Sequence, residues 1–476
     1  MRKLMNKVIG TTLAVAMVVT CMPVANVKNV HAAEKKNTAY KLVWSDEFNG
    51  TSLNTNNWNY NIGNSGTDGK NPGWGNNELE YYTDSEKNVS VSDGTLKITA
   101  LEEKTVDPKN SKVTYSYTSG RITTAGKQDF QYGRMEARIK LPSLKGVWPA
   151  FWMLGVNQKG WPWCGEIDIL EAWNTISFAQ GAFHWNAGVG EDSPLDNKYV
   201  SGQLNASYSR YSWYDKTQWH IYAVEWDKEY IHYYVDDVEY YKVNISTADK
   251  KDEGMKSYYF LLNMAVGGNL PGVAPDAGTL PATMEVDYVR AYQRTSDNGT
   301  NSAKWTEQSQ VPTYAVAMKD GKKIVANNNV YDGETLDLPV LTKKRYTFNG
   351  WYTSDGKEVT EKYRVRQNTT IVAKWTKVTV KQPKLTKLVN KKKGTIYAKY
   401  SIKGKKADSP KGYQIKYGTN KKLKKGKVTS TTSKNITIPF LKSGKTYYVK
   451  VRGYKLDSKN KKVFGKWSKI KSITVK

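Results

Sequence analysis

Between positions 166 and 171 the chain reads Glu-Ile-Asp-Ile-Leu-Glu. Three carboxyl groups, Glu166, Asp168 and Glu171, stand among Ile167, Ile169 and Leu170 in a run that favours a strand. Side chains alternate between the two faces of a strand. Glu166 and Asp168 therefore share a face, and Ile167 and Ile169 turn to the core. Glu171 is at an odd offset from Asp168, which on a regular strand would point it inward. One extra residue, a β-bulge, returns it to the carboxylate face. Like charges side by side repel, so the row calls for a use. Hydrolysis of a glycosidic bond supplies one. It takes two carboxyl groups flanking the bond, about 5–5.5 Å apart when the sugar configuration is retained. Cα atoms four strand steps apart are about 13 Å apart, a gap that two glutamate side chains leaning together can close. Taken by itself, the hexapeptide also fits a solvated polar strand face.

The neighbours narrow that choice. Trp148, Trp152, Trp161, Trp163, Trp173 and Trp185 lie within about twenty residues of the hexapeptide, and the chain holds 16 Trp and 33 Tyr against 9 Phe. Flat aromatic rings stack on the apolar faces of sugars while polar groups bond the hydroxyls. The alternating apolar runs around Trp152 and Trp226 assign those two to a core. Trp148, Trp161 and Trp185 are assigned to a cleft.

The elements that must position these groups are short β-rich runs separated by Gly, Asn and Asp, with no sustained helical period, a pattern that fits an antiparallel sandwich. In order along the chain come Leu42-Val-Trp-Ser-Asp-Glu-Phe48, Asn76-Asn-Glu-Leu-Glu-Tyr-Tyr-Thr83, Ser119-Gly-Arg-Ile-Thr123 and Tyr132-Gly-Arg-Met-Glu-Ala-Arg138. Gly146-Val-Trp-Pro-Ala-Phe-Trp-Met-Leu154, Gly165-Glu-Ile-Asp-Ile-Leu-Glu171, His184-Trp185 and Tyr222-Ala-Val-Glu-Trp226 follow. Asn263-Met-Ala-Val-Gly-Gly-Asn269 and Asp287-Tyr-Val-Arg-Ala-Tyr292 close the series. Through these segments, over roughly residues 40 to 294, the sequence resembles glycoside hydrolase family 16, the laminarinase-like endo-β-1,3-glucanases. The resemblance implies an all-β fold: an antiparallel β-sandwich (jelly roll) catalytic domain, here followed by two small β-rich modules.

Carried over position by position, the resemblance implies Glu166 as nucleophile, Glu171 as acid/base and Asp168 as a helper that hydrogen-bonds the nucleophile. A charged Glu166 strengthens the hold of Glu171 on its proton. Once Glu166 is a glycosyl ester, that charge is gone, and Glu171 can act as base toward water. Asn77, Arg121, Trp148, Trp161, His184 and Trp185 match positions that line the sugar cleft in relatives. The chemistry asks for no cofactor. A structural calcium is common in the family, and its matching positions are Glu47 and Gly94, through backbone oxygens, and Asp287; oxygen ligands of this kind suit calcium.

The sequence departs from the family in two places. Trp163 and Cys164 stand between Pro162 and Gly165 where relatives carry small residues, and Leu270 follows Gly-Gly-Asn where a Trp is usual. Both departures bear on subsites rather than on the chemistry. The extra residue in the hexapeptide is that of the laminarinase, agarase and carrageenase branches.

The rest of the chain sets the context. Residues 1–32 read as a secretory signal peptide: a basic start, a mostly apolar stretch from Val8 to Ala25, and Val-His-Ala before the cut. Without them one cysteine is left, Cys164, so no intramolecular disulfide is expected. Standing two residues before Glu166, Cys164 would face the cleft on a regular strand. No other segment is long and apolar enough for a membrane span. The expected organisation is a catalytic domain over 38–294 and a polar linker over 295–311. An internalin B-type repeat over 312–376 and a basic fibronectin type III-like domain over 377–476 complete it. Tyr346-Thr-Phe-Asn-Gly-Trp-Tyr-Thr353 and Asn368-Thr-Thr-Ile-Val-Ala-Lys-Trp375 carry the repeat's resemblance. Gly412-Tyr-Gln-Ile-Lys-Tyr417 and the segment from Leu441 to Val451, with Tyr447 as corner tyrosine, carry the last. Each accessory unit is expected to fold alone.

Residues 377–476 hold 31 Lys and Arg and two Asp and Glu, so the tail carries the whole formal charge of +29. A charge run of this kind is either a solvated face or a means of adhesion to an anionic surface, cell-wall polymer or acidic polysaccharide. Secretion removes nucleic acid as its purpose. The expected protein is a secreted retaining endo-β-1,3-glucanase. Mixed-linked β-1,3-1,4-glucan is the alternative substrate. A non-catalytic glucan-binding protein is the alternative of another class, disfavoured because both glutamates are kept.

Overall fold

The computed structural model describes residues 39–65, 71–156, 159–188, 194–294, 301, 310–402, 404 and 409–476. The expected signal peptide, 1–32, and most of the expected linker, 295–311, lie outside them. The fold is the expected one: among the described residues strands dominate, and the single α-helix is the four-residue Lys251–Gly254. No helix among them is long and apolar enough to cross a membrane.

Residues 41–293 form two sheets. The outer sheet runs Val238–Asn244, Tyr230–Val235, His220–Trp226, Gly133–Lys140, Ala282–Gln293, Thr95–Asp107, Asn110–Ser119, Glu80–Tyr82. The inner sheet runs Asn197–Asn205, Phe178–Asn186, Glu166–Glu171, Val147–Gly155, Tyr258–Val266, Arg121–Thr123, Asn59–Tyr60, with every neighbouring pair antiparallel. Alternation makes the layers. In Thr95–Asp107, Leu96, Ile98 and Ala100 are buried between more exposed neighbours. In Val147–Gly155, Val147, Phe151 and Met153 enter the core, while Trp148, Trp152 and Leu154 lie half-buried on the opposite face. Ile167, Phe183, Trp226 and Phe260 join the same core. Truncating one of its aromatic side chains, Phe151→Ala for example, should cost about 3–5 kcal/mol.

A five-stranded sheet follows, in the order Lys323–Tyr331, Thr313–Asp320, Thr369–Lys377, Tyr346–Thr353, Glu358–Val359. Its own core contains Val316, Met318, Trp351 and Ile371. It is not a loosely tethered module. Tyr40, Leu42 and Tyr292 of the sandwich cluster with Val311, and Tyr331 packs against them. Leu42 N–H donates to Glu334 (3.1 Å) and Tyr40 N–H to Thr335 Oγ1 (2.9 Å). Arg366 donates to Glu136 Oε2 (3.2 Å), and Arg364 to Glu225, across the same boundary. Residues 37–476 pack as one compact unit. The polar linker suggested separability, yet the repeat covers the outer sheet with a buried arginine, Arg364, and a partly exposed one, Arg366.

The last unit sets Lys384–Val389, Ile396–Ser401 and Asn435–Ile438 in one sheet and Lys427–Thr431, Gly412–Gly418, Thr446–Leu456, Lys462–Phe464 and Lys471–Thr474 in another. Tyr400, Tyr413, Ile415, Val449 and Val451 fill the space between. It touches the repeat through Asp457 and Ser458, which accept from the N–H groups of Arg345 (2.8 Å) and Lys343 (2.7 Å).

Candidate active site

The strand Glu166–Glu171 begins at Gly165, whose φ is +74°. A Cβ there would stand 2.1 Å from Tyr258 Oη, so this entry admits only glycine. Against Val147–Gly155, Glu166 pairs with Leu154, Asp168 with Trp152, Leu170 with Phe151 and Glu171 with Ala150, the register shifting after Asp168. The shift recurs on the other side, where Glu166, Asp168 and Glu171 face His184, Ala182 and Gln180. This is the expected bulge. It lets Ile169 and Leu170 both enter the core and returns Glu171 to the face of Glu166 and Asp168.

Glu171 is buried, with 7% of its surface exposed. Burial pushes its carboxyl up, and the Glu166 charge adds to this; the bonds from Gln180 Nε2 (3.2 Å) and Trp148 Nε1 (3.1 Å) work against it, leaving a pKa of about 7. Asp168 is pushed well above the usual carboxylate range by burial first, then by the Glu166 and Glu171 charges and a hydrogen bond with Glu166. A protonated Asp168 donates that bond. His184 points its Nε2 at the same group, 3.5 Å from Asp168 Oδ2 and 3.9 Å from Glu166 Oε1. One carboxyl near pH 7 beside another within the same cleft is what a proton donor and a nucleophile require.

The structure brings most of the expected cleft residues to this face. Trp148 bonds Glu171 directly. Trp161 is exposed at the rim, its ring 6.2 Å from that of His184. Arg121 lies across the sheet, its guanidinium 4.3 Å from the Trp74 ring and 4.8 Å from the Trp152 ring, with Nε bonded to Asn61. Asn77 sits on an exposed turn at φ +58° and donates to Asn269 Oδ1 (2.8 Å).

Two tryptophans exchange places. Trp185 is not in the cleft: it belongs to the core, stacked on Phe183 at 5.6 Å. His184 faces Glu166, and alternation then turns residue 185 inward. Trp152, expected in the core, is opposite Asp168 on the cleft face and donates from Nε1 to Asn263 Oδ1 (2.8 Å). Trp226 is in the core as expected. Sequence reasoning also passed over Trp74 and Gln180. Gln180 had a signal available, since it lies an even number of places from His184 on one run.

Cys164 is buried, and burial, with the Glu166 charge adding, pushes its thiol up to about 12. It is a small core residue rather than a reachable cleft thiol. At the positions implied for calcium, the Glu47 carboxylate accepts from Arg290 (2.8 and 2.7 Å), which leaves its backbone oxygen as the implied ligand, and Asp287 Oδ2 accepts from Arg138 (2.7 Å). Gly94, at φ +70°, turns next to Asn49 and adds no charged ligand.

Residues 40–294 match a family model described as beta-porphyranase A–D, GH16 domain, and residues 313–374 match the Listeria-Bacteroides repeat domain. The glucan endo-1,3-beta-glucosidase A1 of Niallia circulans is 39% identical over 53% of this chain and 38% of its own length. The beta-glucanase of Rhodothermus marinus is 36% identical over 53% of this chain and 85% of its own. The X-ray structure of an endo-beta-1,3-glucanase from Pyrococcus furiosus is 39% identical over 54% of this chain and 95% of that one, with a TM-score of 0.47. The chain thus spans well under half of the first of these relatives.

Proposed function

The chain belongs to glycoside hydrolase family 16, and on that premise we propose that it is a retaining endo-β-1,3-glucanase in which Glu166 is the nucleophile and Glu171 the acid/base. The observation that carries this reading is Glu171: a carboxyl held near pKa 7 on the same bulged strand face as Glu166. In the first step Glu166 attacks the sugar's anomeric carbon, and Glu171 gives its proton to the departing oxygen. Asp168, holding its own proton, steadies the Glu166 oxygens through their hydrogen bond. With Glu166 esterified, the charge that strengthened the hold of Glu171 on its proton is gone. Glu171 takes a proton from water, the water oxygen breaks the ester, and Glu166 returns to its starting state. These carboxyl groups and water suffice, without a cofactor.

The half-exposed rings of Trp148, Trp152 and Trp161 offer sugar-stacking faces along this groove. A sulfated galactan would ask for free cations there, and Arg121 is already engaged with Trp74, Trp152 and Asn61. The test is a panel of purified glucans with product sizing. Laminarin-type β-1,3-glucan should be cut to short oligomers faster than mixed-linked glucan, and agar or carrageenan should stand. Preference for mixed-linked glucan, or no cleavage at all, would overturn the substrate reading.

The proposal extends to a secreted protein whose tail holds it on anionic cell-wall material. Sheets of three and five strands and the bond from Lys442 N–H to Tyr447 Oη (3.2 Å) support reading the last unit as fibronectin type III-like with a corner tyrosine. The repeat is read as internalin B-type. Phe440, 97% exposed beside Lys425 and Lys427, marks a sticky cationic face. A chain ending near Lys377 should keep its rate on soluble oligomers, and the full chain should leave cell walls as salt rises. Equal wall retention by both would leave the charge as a solvated face.

A further inference from the structure

Glu166, Asp168 and His184 come from two adjacent strands whose pairing sets Glu166 directly opposite His184. One donor atom from each lies within 4.8 Å of the other two. His184 Nε2 is 3.5 Å from Asp168 Oδ2 and 3.9 Å from Glu166 Oε1. A four-coordinate zinc ion with bonds of about 2.0–2.1 Å holds its donors about 3.3 Å apart. The two distances from His184 Nε2 are within an ångström of that without rearranging the sheet. Asp168 Oδ2 is buried without a hydrogen-bond partner, on a residue only 3% exposed, and it faces the imidazole. A buried oxygen left unpaired is costly, and a cation would satisfy it. His184 is oriented for the role by Tyr199, whose ring stacks on it at 5.1 Å and 16°.

We propose that Glu166, Asp168 and His184 form a binding site for a divalent transition-metal ion of the zinc type, and that its occupancy switches the enzyme off. One imidazole nitrogen and two carboxylate oxygens suit zinc, with the fourth position open to water from the cleft. Calcium and magnesium, which take six or more oxygen ligands or a strict octahedron, are excluded by the same donor set. Glu166 and His184 are partly exposed, so the ion enters where substrate enters. An ion on Glu166 withdraws charge from its carboxylate and stands where the sugar carbon would have to approach. Binding sends the proton that Asp168 holds against Glu166 out to the cleft water. The inhibition rests on the reading of Glu166 as nucleophile; the binding does not. The protein's other paired histidines, His220 with Asp236 (2.6 Å) and His232 with Glu239 (3.2 Å), gain no third donor among the described residues.

The test is calorimetric titration of the whole protein with zinc chloride in a non-chelating buffer. One ion per chain should bind, magnesium should not, and His184→Gln should weaken zinc by about tenfold or more, at least what losing an outer-shell partner costs. His232→Gln should bind as the native protein does. Failure of the native protein to bind, or equal affinity in His184→Gln, overturns the site. Should His184→Gln not fold, cobalt decides on the native protein: the intense visible bands of a four-coordinate ion support the site, and the weak spectrum of the hydrated ion overturns it. Stoichiometric binding by a protein that hydrolyses no glucan would sink the glucanase reading and leave the metal site standing.

Discussion

Two groups of buried carboxyls, on opposite faces of one sandwich, end at opposite ends of the acidity scale. In the cleft, Asp168 and Glu171 are pushed up, Glu171 to about 7. On the outer sheet, burial pushes Glu136 and Glu225 up as well, but arginines overrule it. Arg366, Arg134, Arg364 and Arg290 hold Glu136 well below the usual range, and Arg364 and Arg134 bring Glu225 to about 2. Three of the four are alike in burial, Asp168 at 3% exposed, Glu171 at 7% and Glu136 at 0%, and the Glu225 side chain is 16% exposed. Burial alone therefore does not make an acid catalyst. The partners decide. The cleft surrounds its carboxyls with an indole, an amide and other carboxyls. The outer face surrounds its own with guanidinium groups, two of them supplied by the repeat.

The largest effect should come from the cleft. Glu166→Gln keeps the shape and removes the nucleophile, because an amide forms no glycosyl ester. Turnover should fall by about three orders of magnitude or more, roughly 4 kcal/mol of barrier, with the melting temperature little changed. A loss of less than tenfold on a soluble β-1,3-glucan would remove Glu166 from that role. The same kind of change on the outer face should act on stability. Glu136→Ala leaves Arg134 and Arg366 facing each other without their shared acceptor, and breaking a buried pair in this way costs about 3–5 kcal/mol. Urea unfolding should show that loss, while the rate per folded molecule stays near native. Unchanged stability would mean that the repeat's arginines do not depend on Glu136.

Acidity separates the faces a third way. Between about pH 4.5 and 7 folded Glu171 keeps a proton that the unfolded chain releases, so stability falls as pH rises through that window. Between about pH 4.5 and 2 folded Glu225 stays ionised while the unfolded chain takes up a proton, so its contribution, full above 4.5, is lost as pH falls. Glu171→Gln should flatten the first slope and Glu225→Gln the second, in unfolding midpoints followed from pH 2 to 8. The native rate should decline above about pH 7, where Glu171 has lost its proton. A rate that holds to pH 9 would mean that Glu171 is not the acid.

Much of the cleft was legible because its logic is local. The odd offset from Asp168 to Glu171 implies a bulge within six residues, and the register has it after Asp168. Trp152 and Trp185 were misassigned for a non-local reason. Which face a strand residue takes depends on which partner residue it meets, and nothing in the run around Trp185 says that His184 is paired with Glu166. The outer network was invisible for the same reason. Arg134, Glu136 and Arg138 alternate on Gly133–Lys140 as an ordinary solvated face would. Only the fold brings Arg364 and Arg366, more than two hundred residues on along the chain in the case of Arg366 and Glu136, into contact with it. The linker's polar composition pointed to a free joint, whereas Tyr40 and Thr335 are hydrogen-bonded across it.

The most direct measurement is the stereochemistry of the first product. Proton magnetic resonance of a β-1,3-gluco-oligosaccharide digest, recorded before the new reducing end mutarotates, reads the configuration in one experiment. With Glu166 forming the ester and Glu171 serving first as acid and then as base, the two inversions restore the β anomer, and the β signal should rise first. An α anomer appearing first would contradict the double displacement and with it the roles given to both glutamates.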